Sequence, residues 1–150
     1  MTHHLEIGSA VPRRNSLALN WLGRSALALS GWKLNLVIPD EPKLIMIVAP
    51  HTSNWDFVLC MLSMGTTKID MHWLGKNTLF NGPWGPALRW LGGIAVDRGS
   101  ASGLVRQTVR TYADREKLVI AITPEGTRGR VKQWKRGFYH IAETGSIPVL

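Results

Sequence analysis

The sequence has little cysteine: Cys60 is the single one among 150 residues. One cysteine excludes an internal disulfide and a cysteine-rich zinc module, and it favours a reducing compartment. No stretch reaches the roughly 20 uncharged apolar residues that span a bilayer, since the nearest candidate, Ser16–Ser30, carries Arg24 in its middle. Residues 1–11 lack the basic start and apolar run of a cleaved signal. These absences predict a cytoplasmic protein that is soluble or peripheral to the membrane surface.

Acidic residues are also few, because 10 Asp and Glu stand against 18 Lys and Arg, which gives a formal net charge of +8. Such a charge predicts an anionic partner: nucleic acid, anionic lipid or a phosphorylated small molecule. Apolar residues make up 45% of the chain, which excludes a disordered protein and supplies the core of one domain. Seven of the twelve aromatic residues are Trp; this residue prefers the lipid–water interface and equally suits an ordinary core.

The first predicted element is a helix over Ser16–Ser30. Asn15 can cap its beginning and Gly31 can end it. The helix is apolar nearly all round, with only Asn20 and Arg24 forming a polar edge. This pattern is typical either of a buried helix or of one that rests on a membrane surface.

Two strand patterns follow. Trp32–Ile38 alternates between apolar and polar residues, as a half-exposed strand does. Leu44–Ala49 is a continuous apolar run, typical of a central strand that is buried on both faces. Because Pro39–Lys43 between them has the composition of a turn, the two strands are predicted to form a β-hairpin.

Strands and helices alternate along the rest of the chain, which predicts an α/β fold with a mixed central sheet flanked by helices. The chain ends inside the last predicted strand, so we expect this fold to be truncated at its C-terminus. The predicted helices are Trp55–Met64, Trp84–Leu91, Ser102–Glu116 and Phe138–Thr144. The further predicted strands are Met71–Leu74, Ile94–Val96, Leu118–Ile122 and Ile147–Leu150.

A histidine and an aspartate, His51 and Asp56, lie where the predicted central strand gives way to a helix. Open α/β sheets bind ligands at such places. Histidine titrates near neutral pH and can take a proton from a hydroxyl, while a carboxylate can orient the imidazole and stabilise its charged form. A histidine in the loop can meet an aspartate in the first helical turn. Taken alone, the pair also fits a loop histidine and an aspartate that favours the helix dipole.

Two further motifs lie at the ends of predicted strands. Pro124–Arg128 combines a glycine that permits close backbone approach, a threonine hydroxyl and an arginine whose planar donors suit phosphate. Gly92–Arg98 likewise delivers an arginine to the end of a short strand. Taken singly, each motif also fits an ordinary surface turn or a surface ion pair.

In order and spacing, these motifs resemble the signature blocks of the glycerolipid acyltransferase family, which includes 1-acyl-glycerol-3-phosphate acyltransferase. His51 and Asp56 match its H-x-x-x-x-D block. Gly92 and Arg98 match its G-x-x-x-x-x-R block, and residues 125–128 match its E-G-T-R block. The resemblance covers about residues 32–150.

The resemblance implies a glycerol-3-phosphate acyltransferase-like fold in a single acyltransferase domain, 1–150, with an N-terminal helical segment, 1–31, and a catalytic core, 32–150. It implies acyl transfer from acyl-CoA or acyl carrier protein, with no other cofactor, to the hydroxyl of a lysophosphatidate-like glycerolipid. His51 is then the general base and Asp56 supports it, while two arginines, at 98 and 128, bind the phosphate. The implied substrate-binding residues are Arg98, Glu125, Gly126, Thr127, Arg128 and Lys135.

Several alternatives stay open at this point. The acceptor is open to another lysophospholipid, a lyso-ornithine lipid, or water in a hydrolase of the same architecture. A basic nucleic-acid-binding module explains the charge but not the paired histidine and aspartate, so we expect no nucleic-acid partner. His72 and His140 form no ligand spacing with Cys60, so we predict no metal. The basic stretch Arg128–Arg136, which includes Trp134, suits an anionic membrane surface.

Overall fold

The structure is a computed structural model that describes residues 4–51, 53–127, 129 and 131–150. Strands and helices alternate along the chain, which confirms the α/β class. The strands are β1 (His4–Ile7), β2 (Asn35–Ile38), β3 (Lys43–Ile47), β4 (Met71–Lys76), β5 (Gly93–Val96) and β6 (Leu118–Ile122). The helices are α1 (Leu17–Ser30), α2 (Asn54–Thr67), α3 (Gly85–Trp90), α4 (Ala101–Ala113) and α5 (Gly137–Gly145), with a 3-10 helix at Asn77–Phe80.

Four strands form a parallel sheet in the order β3-β6-β4-β5, while β1 and β2 form a separate parallel pair. Parallel neighbours need crossover connections, and most of them here run through helices. Outside these ladders, Arg13 makes an isolated antiparallel bridge with Ile69. Val149 makes a parallel bridge with Ile45 on the side of β3 away from β6. The sheet therefore continues beyond β3 into the strand predicted at the end of the chain.

The predicted hairpin is wrong, because β2 pairs with β1 and β3 pairs with β6. The turn between β2 and β3 is bonded to the segment that follows β1. There the Asp40 carboxylate accepts hydrogen bonds from the Ala10 backbone at 2.7 Å and from the Ser9 hydroxyl. In β3, Leu44 and Ile45 are both completely buried, so this strand belongs inside a sheet covered on both faces. The alternating β2 is half exposed and suits the smaller pair.

Two apolar clusters cover the opposite faces of the four-stranded sheet. On one face Leu44 and Val119 pack with Met64 of α2, and on the other face Ile45 and Ile120 pack with residues of α4 and α5. Consecutive strand residues thus enter opposite clusters, as the period of a strand requires. This confirms that the predicted strands around residues 44–49 and 118–122 are central and doubly buried.

Helix α1 packs antiparallel on α2. A Cβ at Gly23 would collide with the Leu62 carbonyl of α2, and one at Gly65 of α2 would collide with the Leu19 carbonyl, so the two glycines permit the close approach. The N-cap is Ser16 and not the predicted Asn15, because the Ser16 hydroxyl accepts a hydrogen bond from the Leu19 backbone N–H. The predicted end at Gly31 is confirmed, with φ of 73° in the left-handed region.

The other predicted helices and strands are present, with ends that differ by at most three residues from those in the sequence pattern, except that Ile147–Leu150 forms only the isolated bridge at Val149. β6 begins and ends where predicted. In the part of the chain that the structure describes, no helix has the length and apolar content that crossing a membrane requires.

Candidate functional site

The three sequence motifs lie at one edge of the four-stranded sheet. His51 follows β3, residues 97–98 follow β5, and residues 124–127 follow β6. All these strands are parallel, so their carboxyl ends meet at the same edge, where open α/β sheets bind ligands. Because β3 and β6 are direct neighbours, the first and third motifs are adjacent.

The structure brings the predicted histidine and aspartate together. His51 Nδ1 lies 3.4 Å from Asp56 Oδ2, and the two side chains are 20% and 24% exposed. The same aspartate oxygen accepts the Ser53 backbone N–H at 2.7 Å, which closes a capping box at the start of α2. The helix cap therefore fixes the carboxylate that faces the imidazole. We call these two side chains the His–Asp pair.

The carboxylate of Glu125 points at the backbone of the same histidine. Both of its oxygens lie 3.2 Å from the His51 nitrogen, which donates to them. Glu125 is only 7% exposed, so this bond replaces water that the carboxylate has lost on folding. The contact ties the loop after β6 to the loop after β3 at the position of the imidazole.

Lys135, which lies outside the motif at residues 124–128, packs against the glycine that follows this glutamate. Gly126 has φ of 62°, and a Cβ there would lie 2.9 Å from Lys135 Nζ. The Lys135 backbone N–H donates to the Pro124 carbonyl at 2.9 Å. The turn thus needs glycine at position 126 for two reasons: the left-handed backbone conformation and the space that the lysine occupies. Lys135 was among the predicted site residues, and the structure places it beside this motif.

The arginine after β5 is directed back towards the middle of the sheet, because Arg98 donates to the Leu74 carbonyl of β4 at 2.8 Å. Arg98, Gly126 and Lys135 all line one cavity of about 1050 Å³ between the sheet edge, α4 and α5. This size fits a ligand pocket for an extended small molecule. We call it the α4–α5 cavity.

The His–Asp pair and the α4–α5 cavity are neighbours rather than parts of one cavity. Of the residues that the structure describes, those around the cavity include neither member of the pair. The link between them is covalent, since Glu125, which holds the histidine backbone, immediately precedes the cavity residue Gly126. Thr127 is exposed, and the predicted Arg128 lies outside the described residues.

Two potential nucleophiles near the site are already engaged. Cys60 on α2 packs against the apolar cluster, and burial raises the pKa of its thiol to about 11, so it stays protonated at neutral pH. The Ser53 hydroxyl accepts the Trp55 backbone N–H at 2.9 Å as the helix cap. Neither Ser53 nor Cys60 is therefore arranged as an activated nucleophile.

Two further histidines, His72 and His140, lie on β4 and α5. Burial lowers the pKa of His72 in β4, although Asp70 acts in the opposite direction, and its Nδ1 is buried without a partner among the described residues. His140 on α5 is exposed and lies 4.0 Å from Glu143. No group of three or more His, Cys, Asp or Glu side chains in the described ranges is placed to hold a metal ion.

Sequence reasoning missed two features of the site. It did not foresee that Glu125 bonds to a backbone nitrogen, for which a sequence pattern carries no signal. It also missed Arg106, which lines the α4–α5 cavity together with Ser102 and Val109. The spacing of these three on α4 is that of one helix face, so helical periodicity applied to polar as well as apolar residues would have indicated it.

Two comparisons with known proteins are consistent with this architecture. A sequence model of the acyltransferase family matches residues 37–150. The fold matches the crystal structure of the 1-acyl-sn-glycerophosphate (LPA) acyltransferase PlsC from Thermotoga maritima with a TM-score of 0.59 at 18% sequence identity. The match covers 89% of this chain and 54% of that one, so the chain spans about half the length of this relative. A sequence search of curated proteins found no match. The expected acyltransferase-like α/β fold is thereby confirmed.

The contact between Glu125 and the histidine backbone predicts a stability effect. Replacing Glu125 with Ala leaves the His51 N–H without its acceptor, so the free energy of unfolding should fall by about 1–3 kcal/mol. Glu125→Gln keeps one acceptor oxygen and should recover part of the loss. Urea denaturation measures both, with Glu143→Ala as the control because that side chain is 63% exposed. Equal, negligible effects of Glu125→Ala and Glu143→Ala would contradict the assignment.

Proposed function

The chain belongs to the acyltransferase family, and we propose that it transfers an acyl group from acyl-CoA or acyl carrier protein to the hydroxyl of a lysophosphatidate-like glycerolipid. The observation that carries this proposal is the His–Asp pair, with the imidazole 3.4 Å from the carboxylate at the ligand-binding edge of the sheet. The substrate class comes from the sequence motifs and from the activity printed for the T. maritima structure.

In the proposed reaction His51 acts as general base. Its Nδ1 faces Asp56, so Nε2 takes the proton of the acceptor hydroxyl while that oxygen attacks the thioester carbonyl carbon. Asp56 orients the ring and stabilises the imidazolium that forms. The tetrahedral intermediate then expels the thiolate, which receives the same proton from the imidazolium. The net change is one thioester bond broken, one oxygen ester formed and one free thiol released.

The acceptor phosphate is proposed to bind in the α4–α5 cavity between Arg98 and Lys135. Both side chains line that cavity, and a guanidinium and an ammonium together suit a phosphate dianion. Gly126 lets the backbone approach the ligand. Thr127 and Arg128 are proposed to assist on the strength of the sequence motif. The apolar floor of the cavity, which includes Phe138 and Ile141, suits a lipid better than a polar metabolite.

Glu125 is proposed to position the base rather than to touch the substrate. Its carboxylate is engaged with the His51 backbone and is buried. Because it immediately precedes Gly126, it sets the distance between the base and the proposed phosphate site. This is a more specific role than the substrate contact expected from the sequence.

The proposed acceptor site predicts that Arg98 and Lys135 bind the phosphate of the acceptor. Arg98→Ala and Lys135→Ala should each raise the KM for lysophosphatidate about tenfold or more. They should leave the KM for labelled acyl-CoA and the use of monoacylglycerol, which has no phosphate, nearly unchanged. Lys117→Ala, at the opposite edge of the sheet just before β6, is the matched control.

Other outcomes of this assay identify the alternatives. Free fatty acid as the main product points to a hydrolase, and preference for a phosphate-free lyso-lipid points to an acceptor such as lyso-ornithine lipid. Acyl transfer to no lysolipid, with wild-type and variants equally inactive, would contradict the proposed function.

We also propose that α1 attaches the protein peripherally to an anionic membrane. Its outer face is largely apolar and exposed, with Leu17 at 86%, Trp21 at 71% and Leu29 at 89%, and it also carries the exposed Arg24. An apolar face of this kind marks an interaction surface. The chain's charge of +8 favours anionic lipid as the partner.

The antiparallel packing of the two helices puts the end of α1 level with the start of α2, where the site lies. Counting six residues, about 9 Å of helix, from the contact of Gly23 with Leu62 places Leu29 level with Asp56. Trp55, which is 72% exposed, precedes that aspartate. A bilayer that receives these side chains would therefore lie on the α2 side of the sheet, level with the start of α2 where Asp56 lies.

Membrane attachment predicts a loss of vesicle binding. Trp21→Ser together with Leu29→Ser should lower the partition coefficient onto phosphatidylglycerol vesicles by about 100-fold or more, because each side chain contributes roughly 1.5–3 kcal/mol when it leaves water. Trp84→Ser is the matched control, since Trp84 is 75% exposed but lies beside α3. Co-sedimentation measures the partition. Binding of the double variant at the wild-type level would contradict the role of α1.

A further inference from the structure

The faces of two helices enclose the α4–α5 cavity. Helix α4 contributes Ser102, Val105, Arg106 and Val109, which follow the spacing of a single helix face. Helix α5 contributes an apolar face from its own first two turns. The cavity thus has an apolar floor under a rim that α4 and the start of α5 make basic.

The rim carries more positive charge than one acceptor phosphate requires. Besides the two cations assigned to that phosphate, Arg106, Arg136 and His140 line the cavity. Among the described residues around it there is no Asp or Glu. His140 faces Glu143, but no carboxylate of the described part of the chain forms an ion pair with Arg106 or Arg136.

A comparison within α4 shows that this pattern is particular to the cavity side. Arg110 lies one turn after Arg106, is not among the cavity residues, and is 3.8 Å from Asp114. The two arginines share a helix and are both exposed, yet only the one outside the cavity has an acidic partner. Two uncompensated guanidinium groups at the mouth of an apolar cavity suit an anionic group on an otherwise apolar or extended ligand.

We propose that Arg106 and Arg136 form a second anion site that binds a phosphate ester of the donor's carrier, separate from the acceptor site at Arg98 and Lys135. This inference rests on the proposed function, because acyl transfer needs two substrates and both are anionic. Coenzyme A and acyl carrier protein each attach their pantetheine arm through a phosphate, so the same pair of guanidinium groups serves either donor.

The position of the site suits a donor carrier. The cavity excludes the His–Asp pair but includes Pro124 and Gly126, which adjoin the residue that holds the histidine backbone. A pantetheine arm is long and flexible, so its phosphate can bind at the rim while its thioester reaches the base at the sheet edge.

The test uses coenzyme A without an acyl group, so binding is measured by calorimetry with no turnover. Arg106→Ala and Arg136→Ala should each raise the dissociation constant for coenzyme A about tenfold. Arg110→Ala should leave it unchanged. Pantetheine, which lacks the phosphate, should bind wild type and variants equally. The affinity of wild type for coenzyme A should fall with added salt.

A second probe, 4′-phosphopantetheine, distinguishes the two sources of the phosphate. Equal sensitivity of both probes to the two arginine variants supports a site for the phosphate that both carriers share. Sensitivity of coenzyme A alone supports a site for the nucleotide phosphates and thus a coenzyme A donor. If both arginine variants bind both probes with the affinity of the wild type, the proposal is overturned. It is also overturned if the variants raise the KM for lysophosphatidate tenfold and leave the affinity for coenzyme A unchanged.

The calorimetry stands apart from the activity assay. If wild type transfers no acyl group to any lysolipid but its coenzyme A affinity depends on Arg106 and Arg136, the proposed function is wrong while the anion site remains. If acyl transfer is found and coenzyme A affinity is indifferent to both arginines, the anion site is wrong while the proposed function remains.

Discussion

The hydrogen bond from the His51 backbone to the Glu125 carboxylate is the contact on which the candidate site depends. It joins the loops after two neighbouring parallel strands, β3 and β6, at the edge where their carboxyl ends meet. Without it, the imidazole would be positioned by Asp56 alone, which itself belongs to a helix cap. With it, His51 is held from the sheet side and from the helix side at once.

This contact also explains how the site accommodates opposite charges. A buried carboxylate is costly unless donors or cations surround it, and Glu125 is 7% exposed. It has the His51 N–H on one side, while Lys135 lies over the next residue on the other. Carboxylates therefore lie around His51 and cations around the adjacent cavity.

The sequence predicted what depends on local pattern and motif. The doubly buried strand at Leu118–Ile122 lies where expected, because an apolar run of that length has few other uses. The His–Asp pair was expected from the resemblance to the H-x-x-x-x-D block, and its two side chains do meet. The β-hairpin failed because alternation identifies a strand but not its partner, and here the partner of β2 precedes α1 in the chain. The role of Glu125 was out of reach because its partner is a backbone nitrogen, which every residue at position 51 other than proline would supply.

The proposed transfer of the acceptor proton to the His51 imidazole is tested by chemical rescue. In His51→Ala the cavity cations, the helix cap and Glu125 all remain, so substrates should still bind while acyl transfer is lost. Added imidazole should then restore acyl transfer in proportion to its neutral form, increasing as pH rises through its titration. Full activity of His51→Ala without imidazole, or a dead variant that imidazole leaves unchanged while both substrates still bind, would contradict the account.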